Sequence, residues 1–400
     1  MSTELLAPAG NLERLKWAVA YGADAVYFGI EEFSLRSFAG NFNLNDAQVG
    51  LDYLHKHGRR GYITLNTYPF SNEYKELLSA AAKLDEMGAD AFIVSDLGVI
   101  SELNKLNLRA PLHISTQANT LSYQTVLAYK ELGAKRVNLA RELSLTQIKE
   151  IQHELTGKDI ETEVFIHGSV CFSYSGRCAI SDYLAGRMAN RGECTQPCRW
   201  NYTLMEEKRP GEYLPVFEDT RGFYLLNSKD LALFPFVNDL VSAGVASLKI
   251  EGRMKNIHYL AAVLSIYRSI LDGKTMCEDE VWRLLGRVSN RGYSYGFMKG
   301  EISADDYEVQ TDKYKFTSEF MASTTELTQG NYRICEIKNT IHAGEQLELL
   351  TPNGDVSTFT IPNPILTIDS DSVSSANNQD TVLLDKNLPA YAILRRVIEK

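Results

Sequence analysis

The chain has 400 residues, of which 44% are hydrophobic and 23% charged, which is enough apolar material for the core of a large domain and a smaller one. Its formal net charge of −10 excludes a protein that binds polyanions over its whole surface, although a local basic patch stays open. The opening "MSTELLAPAG" lacks the basic and apolar regions of a secretory signal, and no run reaches 18 uninterrupted apolar residues. We therefore expect a cytoplasmic protein without a membrane-spanning helix.

One short phrase recurs along the chain: a glycine, a small residue and then a mostly apolar run of strand length. It begins at Gly22 ("GADAVYFG"), Gly88 ("GADAFIVS"), Gly133 ("GAKRVNLA") and Gly244 ("GVASLKIEG"). Most copies follow a segment in which the apolar residues have helical spacing. The pattern predicts a helix that ends at a glycine in the left-handed conformation, followed by a buried strand of a parallel sheet.

Four further strand candidates alternate with these copies. They are "ELLAPA" (4–9), "RGYITLNT" (60–67), "APLHISTQ" (110–117) and "ETEVFIHG" (161–168). Eight strands that alternate with helices within the first 252 residues predict an α/β fold of the TIM type, a (β/α)8 barrel, over residues 1–305. The alternative is a doubly wound open sheet, but no Gly-x-Gly-x-x-Gly turn follows the first strand.

The connection between the seventh and eighth strands is about 75 residues long, far more than a loop of a barrel requires. We predict a cysteine-bearing insertion over residues 169–225, which begins where the seventh strand ends. In a barrel of this kind the active site lies where strands end and loops begin.

The pattern changes near residue 313. Short runs such as "NYRICEIKNTI" and "GEQLELLTPNG" alternate apolar and polar residues, and "PNGD" supplies turn chemistry between them. We predict a small antiparallel β-barrel domain over residues 313–400.

Four of the six cysteines lie in the insertion, at Cys171, Cys178, Cys194 and Cys198. Their C-x6-C and C-x3-C spacings lack the C-x2-C knuckles of most zinc ribbons. Four thiolates on irregular backbone suit a [4Fe–4S] cluster, whereas zinc and free or redox-active thiols are the alternatives. The other two, Cys277 and Cys335, lie alone in helical and strand patterns and are expected to be small buried hydrophobic residues.

The stretch "EVFIHGSVCFSYSGRCAIS" (163–181) resembles the signature of the collagenase-like peptidases of unknown catalytic type, family U, number thirty-two. The matching residues are Glu163, Phe165, Gly168, Ser169, Val170, Cys171, Gly176, Cys178, Ile180 and Ser181. The resemblance extends to "LLAPAGNLERLKWAVAYGADAVYFG", to "SLKIEGRMK" and to the terminal region, and therefore covers essentially the whole chain. Cys194 and Cys198 match the second cysteine pair of the family.

The resemblance implies a chemistry other than the proteolysis that the family is named for. The chain has neither a Gly-x-Ser-x-Gly elbow nor a His-Glu-x-x-His zinc helix. Better understood branches of the family are iron–sulfur proteins that hydroxylate aromatic or pyrimidine rings without molecular oxygen. The branch that this chain resembles most forms 5-hydroxyuridine at the tRNA wobble position, with prephenate implicated as the oxygen source. A collagenase-like peptidase and a non-catalytic iron–sulfur RNA-binding subunit are the alternatives, and zinc can replace the cluster in aerobic preparations.

Polar residues gather at the predicted carboxyl ends of the strands, where a filled barrel should otherwise be apolar. The candidate catalytic residues are His167, Arg141 and Glu251. The candidate residues for a dicarboxylate co-substrate such as prephenate are Arg36, Gln117, Lys249 and Arg253, since guanidinium groups pair with carboxylates in a bidentate manner. The alternatives are ordinary loop ion pairs and, for His167, a satisfied core histidine. Glu163, which begins the seventh strand, is expected to brace the barrel.

The insertion also carries a local excess of positive charge. Arg187, Arg191 and Arg199 are candidates for phosphate contacts with tRNA. The alternative is a solvated surface loop. No oligomeric state is predicted.

Overall fold

The computed structural model describes residues 3–31, 41–171, 173, 180–188, 193–197, 199–200, 204–205, 213–214, 217–219, 222–224, 227–300, 307–308 and 314–398. Of these, 199–227 and 307–308 are described by their backbone alone. The chain divides into two compact units. The barrel unit comprises Met1–Val19, Ala23–Met254 and Arg291–Tyr314, and the terminal unit comprises Ala20–Gly22, Lys255–Asn290 and Lys315–Lys400. The predicted domain limits at 305 and 313 stay predictions.

The first part of the chain alternates strands and helices. In order these are β1 Glu4–Pro8, α1 Leu12–Ala20, β2 Ala25–Gly29, α2 Leu44–Lys56, β3 Arg60–Leu65, α3 Tyr74–Glu86, β4 Ala91–Val94, α4 Leu97–Lys105, β5 Leu112–Ile114, α5 Tyr123–Glu131, β6 Ala134–Asn138, α6 Leu145–Leu155, β7 Glu161–Gly168 and α7 Ile180–Ala185.

Short strands follow, and then the last helices. They are β8 Arg199–Trp200, β9 Leu204–Met205, β10 Tyr213–Leu214, β11 Phe217–Asp219, β12 Gly222–Tyr224, β13 Asn227–Ser228, β14 Asp230–Ala232, α8 Val237–Ala243, β15 Ser247–Ile250, α9 Ile257–Leu271, α10 Glu278–Leu285, β16 Tyr293–Ser294 and β17 Tyr307–Glu308.

The remaining elements are all strands. They are β18 Ser318–Gln329, β19 Tyr332–Ile337, β20 Ile341–His342, β21 Gln346–Leu350, β22 Val356–Thr360, β23 Ile365–Thr367, β24 Ser372–Val373, β25 Ser375–Ala376, β26 Thr381–Asp385 and β27 Ile393–Val397.

Eight parallel strands close into a barrel. Strands β1 to β7 are paired in sequence order, and β15 pairs with both β1 and β7, which closes the ring. Each of the eight predicted strand segments contains one of these strands, so the predicted (β/α)8 barrel is confirmed. The open doubly wound sheet is excluded, because such a sheet would have two unpaired edges.

The recurring glycines take the backbone conformation that the sequence predicts. Gly22, Gly88, Gly133 and Gly244 have φ values of 84°, 93°, 87° and 92°. These angles lie in the left-handed region, which glycine enters without the steric cost of a side chain. Each glycine therefore ends a helix and directs the chain into the next strand.

The connection between β7 and β15 holds the short strands β8 to β14. The last of them, β14, runs antiparallel to β7, with Leu231 opposite Gly168 and Ala232 opposite His167. This pairing anchors the far end of the insertion beside the end of β7.

The terminal unit is built on an eight-stranded antiparallel sheet in the order β22-β21-β27-β18-β19-β26-β23-β24. An apolar cluster that includes Met321, Cys335 and Leu394 forms its core. The predicted antiparallel β-structure of the terminal region is confirmed, and Cys335 is buried as expected. Cys277 is not, because it lies at the N-terminus of α10 and is exposed. None of the helices in the described part of the chain has the length and apolar character needed to cross a membrane.

Candidate active site at the carboxyl ends of the barrel strands

Four of the predicted site residues lie just inside or after the carboxyl ends of barrel strands. His167 lies near the end of β7, Arg141 follows β6, and Arg253 follows β15. Gln117 lies in a 3-10 turn directly after β5. The carboxyl ends of parallel strands share one rim of a barrel, so these side chains surround a common mouth.

His167 and Glu251 are joined through the backbone. The amide of Glu251 donates to the carbonyl of His167 at 2.8 Å. The His167 side chain is buried, and its ring centroid lies 5.5 Å from that of Tyr293. Two of the three candidate catalytic residues thus lie on adjacent strand ends that a backbone hydrogen bond joins.

Gly168 explains how these two strand ends approach so closely. A Cβ atom placed on Gly168 would lie 2.6 Å from the carbonyl oxygen of Glu251, and its φ is 110°. Both features require a residue without a side chain. The glycine position of the family signature, which Gly168 fills, is therefore a close contact between β7 and the loop after β15.

Arg253 is a buried cation of the mouth. Its side chain donates from Nη1 to Oγ1 of Thr64 at 3.2 Å, and its carbonyl accepts from Nη1 of Arg14 at 3.1 Å. Only 5% of the residue is exposed. The guanidinium therefore reaches from the loop after β15 to the end of β3.

Arg141 is half-buried and lies over an aromatic ring. Its guanidinium carbon is 4.1 Å from the centroid of the Phe165 ring, a distance at which a cation and an aromatic face attract. Burial raises the pKa of its neighbour Glu142. This rim therefore combines cations with a carboxyl group that binds protons more readily than usual.

Lys249 lies inside the barrel, below the rim. Its ammonium donates to Oε1 of Glu163 at 2.8 Å and sits 4.4 Å from the centroid of the Tyr27 ring. Asn138 donates to the same Glu163 oxygen at 2.9 Å. Burial lowers the pKa of Lys249, and the charge of Glu163 partly offsets this effect. The predicted role of Lys249 in co-substrate binding stays a prediction.

The charged network continues along the barrel interior. Arg136 donates to Oε1 of Glu4 at 2.7 Å and to Oε2 of Glu161 at 2.8 Å. Tyr62 donates to Oε2 of Glu4 at 2.7 Å. Arg136 and Glu4 are each 3% exposed. Glu163 braces the barrel as expected, whereas Glu4 and Arg136 were not predicted to do so. The sequence feature that could have revealed both is a charged residue within a strand that was predicted to be buried.

Two of the four predicted metal ligands, Cys171 and Cys194, are described, and both are exposed. The backbone amide of Gln196 points to Sγ of Cys194 at 3.4 Å, the type of contact that stabilises a ligating thiolate. Ser181, the last signature residue, is buried and accepts at Oγ from the amide of Thr195 at 3.2 Å. This bond ties the segment of Cys194 to helix α7.

Within the described residues, no group of three or more His, Cys, Asp or Glu side chains is arranged to hold a metal ion. Cys178 and Cys198 lie outside the described residues. The described pair of exposed cysteines offers thiolate donors of the kind that both iron–sulfur clusters and zinc accept.

The remaining predicted cations are only partly described. Arg187 is exposed just after α7, and Arg199 lies in β8, where only the backbone is described. Arg36 and Arg191 lie outside the described residues. The roles of all the predicted site residues therefore stay predictions.

The fold and this rim define the class: a (β/α)8-barrel protein with a polar site at the carboxyl ends of its strands and a cysteine-bearing loop after β7. The chain belongs to peptidase family U32, whose model matches residues 10–308. The model of the family's C-terminal domain matches residues 312–395.

Three relatives show the range of names within this family. "tRNA hydroxylation protein P" of Escherichia coli (strain K12) is 36% identical over 90% of this chain and 88% of its own length. "23S rRNA 5-hydroxycytidine C2501 synthase" of the same organism is 37% identical over 67% of this chain and 39% of its own length. "Collagenase" of Porphyromonas gingivalis (strain ATCC BAA-308 / W83) is 31% identical over 74% of each chain.

Proposed function

We propose that this chain hydroxylates the wobble uridine of tRNA to 5-hydroxyuridine, in the cytoplasm and without molecular oxygen. The observation that carries the proposal is the similarity to a tRNA hydroxylation protein over nearly the full length of both chains. The second relative is named for a 5-hydroxypyrimidine in rRNA, so two relatives are named for hydroxylation of RNA.

Cys171, Cys178, Cys194 and Cys198 would hold a [4Fe–4S] cluster, which would supply electron transfer and activation of the oxygen donor when bound. The other residues of the insertion would hold in place the loop that carries the cysteines. Ser181 and the amide of Gln196 do this for the segment of Cys194.

A prephenate-like dicarboxylate would bind at the rim as the oxygen donor. Arg141 and Arg253 bring guanidinium groups to two different strand ends, and Gln117 adds an amide at a third. Arg36 and Lys249 complete the candidate set. Because Arg253 is buried and Arg141 stacks on Phe165, both cations are held in place before the anion arrives, which lowers the entropic cost of binding.

His167 and Glu251 would move protons at the reacting centre. The hydrogen bond between their backbones holds the two strand ends together. General acid–base catalysis would also require each side chain to come within hydrogen-bonding distance of the proton it transfers. Arg187, Arg191 and Arg199 would contact phosphates of the RNA and hold it near the rim.

The direct test uses anaerobically purified protein, tRNA that lacks the modification, and prephenate. Nucleoside analysis by mass spectrometry should detect 5-hydroxyuridine only when protein and prephenate are both present. Iron and sulfide analysis of the same preparation should give four of each per chain, the content of a [4Fe–4S] cluster. Full conversion of tRNA by a preparation that contains zinc and no iron would contradict the proposed cofactor.

A second candidate function is proteolysis, and the name of the Porphyromonas gingivalis relative favours it. The same preparation should therefore be incubated with gelatin and native collagen. We expect no cleavage. Cleavage that survives substitution of all four insertion cysteines, together with unchanged tRNA, would favour the peptidase. A protein that binds tRNA and changes neither substrate would be the non-catalytic RNA-binding subunit.

A further inference from the structure

The terminal unit contains a buried cluster of positive charge that the proposed function does not use. Its centre is Arg395 on β27, with Glu348 beside it on β21 and Phe320 beside it on β18. Arg395 is only 1% exposed, and it is one of the largest fully buried side chains of the described residues. Arg287, which follows α10, is 8% exposed.

In this cluster the carboxylate of Glu348 forms ion pairs with three guanidinium groups. Nε of Arg395 lies 2.7 Å from Oε1 of Glu348, and Nη2 of Arg287 lies 3.2 Å from Oε2. Nη1 of Arg283 lies 3.7 Å from Oε2, but this side chain is half-exposed and therefore hydrated. The two buried arginines and Glu348 thus carry one more positive charge than negative charge.

The donors of Arg395 are only partly used. Among the described residues, no acceptor bonds to its Nη1 or Nη2, nor to Nε of Arg287. Buried N–H groups of guanidinium are nearly always paired, and a bound water or ion is one of the explanations of an exception. A guanidinium in an apolar interior is also costly unless an opposite charge accompanies it.

The neighbouring side chains in the described part of the chain do not supply that opposite charge. Burial, together with Arg395, lowers the pKa of His258 to about 3, so its imidazole is neutral. Burial raises the pKa of Tyr21, whose hydroxyl donates to the carbonyls of Leu350 and Tyr391. Glu345 is engaged with Arg396 at 2.7 Å.

We propose that the terminal unit binds one small monovalent anion, of the halide class, at the Nη atoms of Arg395. A single negative charge balances the excess positive charge of the cluster. Because only 1% of Arg395 is exposed, we assign the site to a monatomic anion and not to the larger phosphate or organic carboxylates. The anion would join β27, β21 and the segment after α10, and it would stabilise this unit independently of the reaction at the barrel.

The first test compares thermal unfolding of the full chain in sodium chloride and in sodium gluconate of equal ionic strength, which holds screening constant. The Tm of the terminal unit should rise by about 4 °C or more for each tenfold increase in chloride above its Kd, since a ligand of the native state stabilises it by mass action. Arg395→Met should abolish this dependence. The matched control is Arg396→Met, because Arg396 is the adjacent residue and its donors bond to Glu345, Glu319 and Thr340.

The second test does not require a variant. Crystals of the native protein grown in sodium bromide should show an anomalous peak within hydrogen-bonding distance of the Nη atoms of Arg395. A water without anomalous signal at that position would overturn the proposal. Equal chloride dependence in native protein, Arg395→Met and Arg396→Met would overturn it as well, because the effect would then have another origin.

Discussion

At the level of single residues, position 168 on the rim of the barrel accepts only a glycine. Its φ of 110° and the 2.6 Å from its ideal Cβ position to the carbonyl of Glu251 are two separate obstacles. The same contact sets the separation of His167 and Glu251. Both the stability of the barrel and the geometry of the site therefore depend on the lack of a Cβ atom at position 168.

We predict that Gly168→Ala lowers the free energy of unfolding by about 3 kcal/mol, because backbone strain and overpacking each cost about 1–3 kcal/mol. Gly157→Ala is the control. Its φ is 75°, but a Cβ there meets open space, so only the strain remains, at about 1 kcal/mol. Urea unfolding measures both values. Equal losses in the two variants would show that the contact with Glu251 is unimportant.

Glu163 stabilises a buried charge, because it accepts a hydrogen bond from Lys249, whose pKa is already lowered by burial. We predict that Glu163→Gln costs about 3–5 kcal/mol at pH 7, since it leaves a buried ammonium without its carboxylate. The variant lowers the pKa of Lys249 further. Between the pKa of Lys249 in the folded variant and its higher pKa in the unfolded chain, the unfolded chain binds more protons. The free energy of unfolding of the variant should therefore rise as pH increases from 7 towards the ordinary lysine range.

Urea unfolding at pH 7 and at pH 9.5 tests this prediction. The control is the double variant Glu163→Gln with Lys249→Met, which removes the buried charge. It should lose less stability at pH 7 than the single variant and should lack the recovery at high pH. A double variant that is as unstable as Glu163→Gln would contradict the assignment of the loss to the unpaired ammonium.

At the scale of elements, the barrel strands could be predicted because each has a local signal: a glycine that ends the preceding helix or a short apolar run. The interior could not be predicted in the same way. Glu4, Arg136 and Lys249 pair with partners on other strands, and the pairing depends on strand register, which no local pattern encodes. Cys277 was misjudged because a residue at the N-terminus of a helix resembles one within it.

The exposed position of Cys277 makes it a control for the insertion cysteines. We predict that Ser substitutions at Cys171, Cys178, Cys194 or Cys198 each remove the visible absorption of anaerobic protein, whereas Cys277→Ser and Cys335→Ser retain it. Cys277→Ser should also stabilise the protein by about 0.5–1 kcal/mol, because serine caps a helix and Cys277 makes no side-chain cap bond. Bleaching by Cys277→Ser would contradict the assignment of the ligands.

The loops after β6 and β15 carry the cations assigned to the co-substrate. Arg141→Ala and Arg253→Ala should each weaken prephenate binding by about 1.5–3 kcal/mol, the usual contribution of a hydrogen bond to a charged group. Arg59→Ala is the control, since Arg59 precedes β3 at the opposite end of the barrel and pairs with Asp24. Calorimetry that finds unchanged affinity in both rim variants would place the dicarboxylate elsewhere.

At the scale of the whole molecule, helices α9 and α10 belong to the same compact unit as the terminal sheet. The ring of His258 on α9 lies 5.4 Å from that of Phe320 on β18, and Arg287 after α10 pairs with Glu348 on β21. A truncation at residue 313 would therefore expose the buried face of α9. The role of the terminal unit is better tested by point substitutions on its surface than by deletion.

Nucleoside analysis of tRNA from a deletion strain tests most directly whether the whole molecule is a tRNA-modifying enzyme. The strain should be complemented with the native chain, with Cys171→Ser or with Cys277→Ser. We predict that 5-hydroxyuridine at the wobble position, and nucleosides derived from it, disappear on deletion, return with the native chain and Cys277→Ser, and stay absent with Cys171→Ser. An unchanged nucleoside profile in the deletion strain, with no second copy of the gene present, would contradict it.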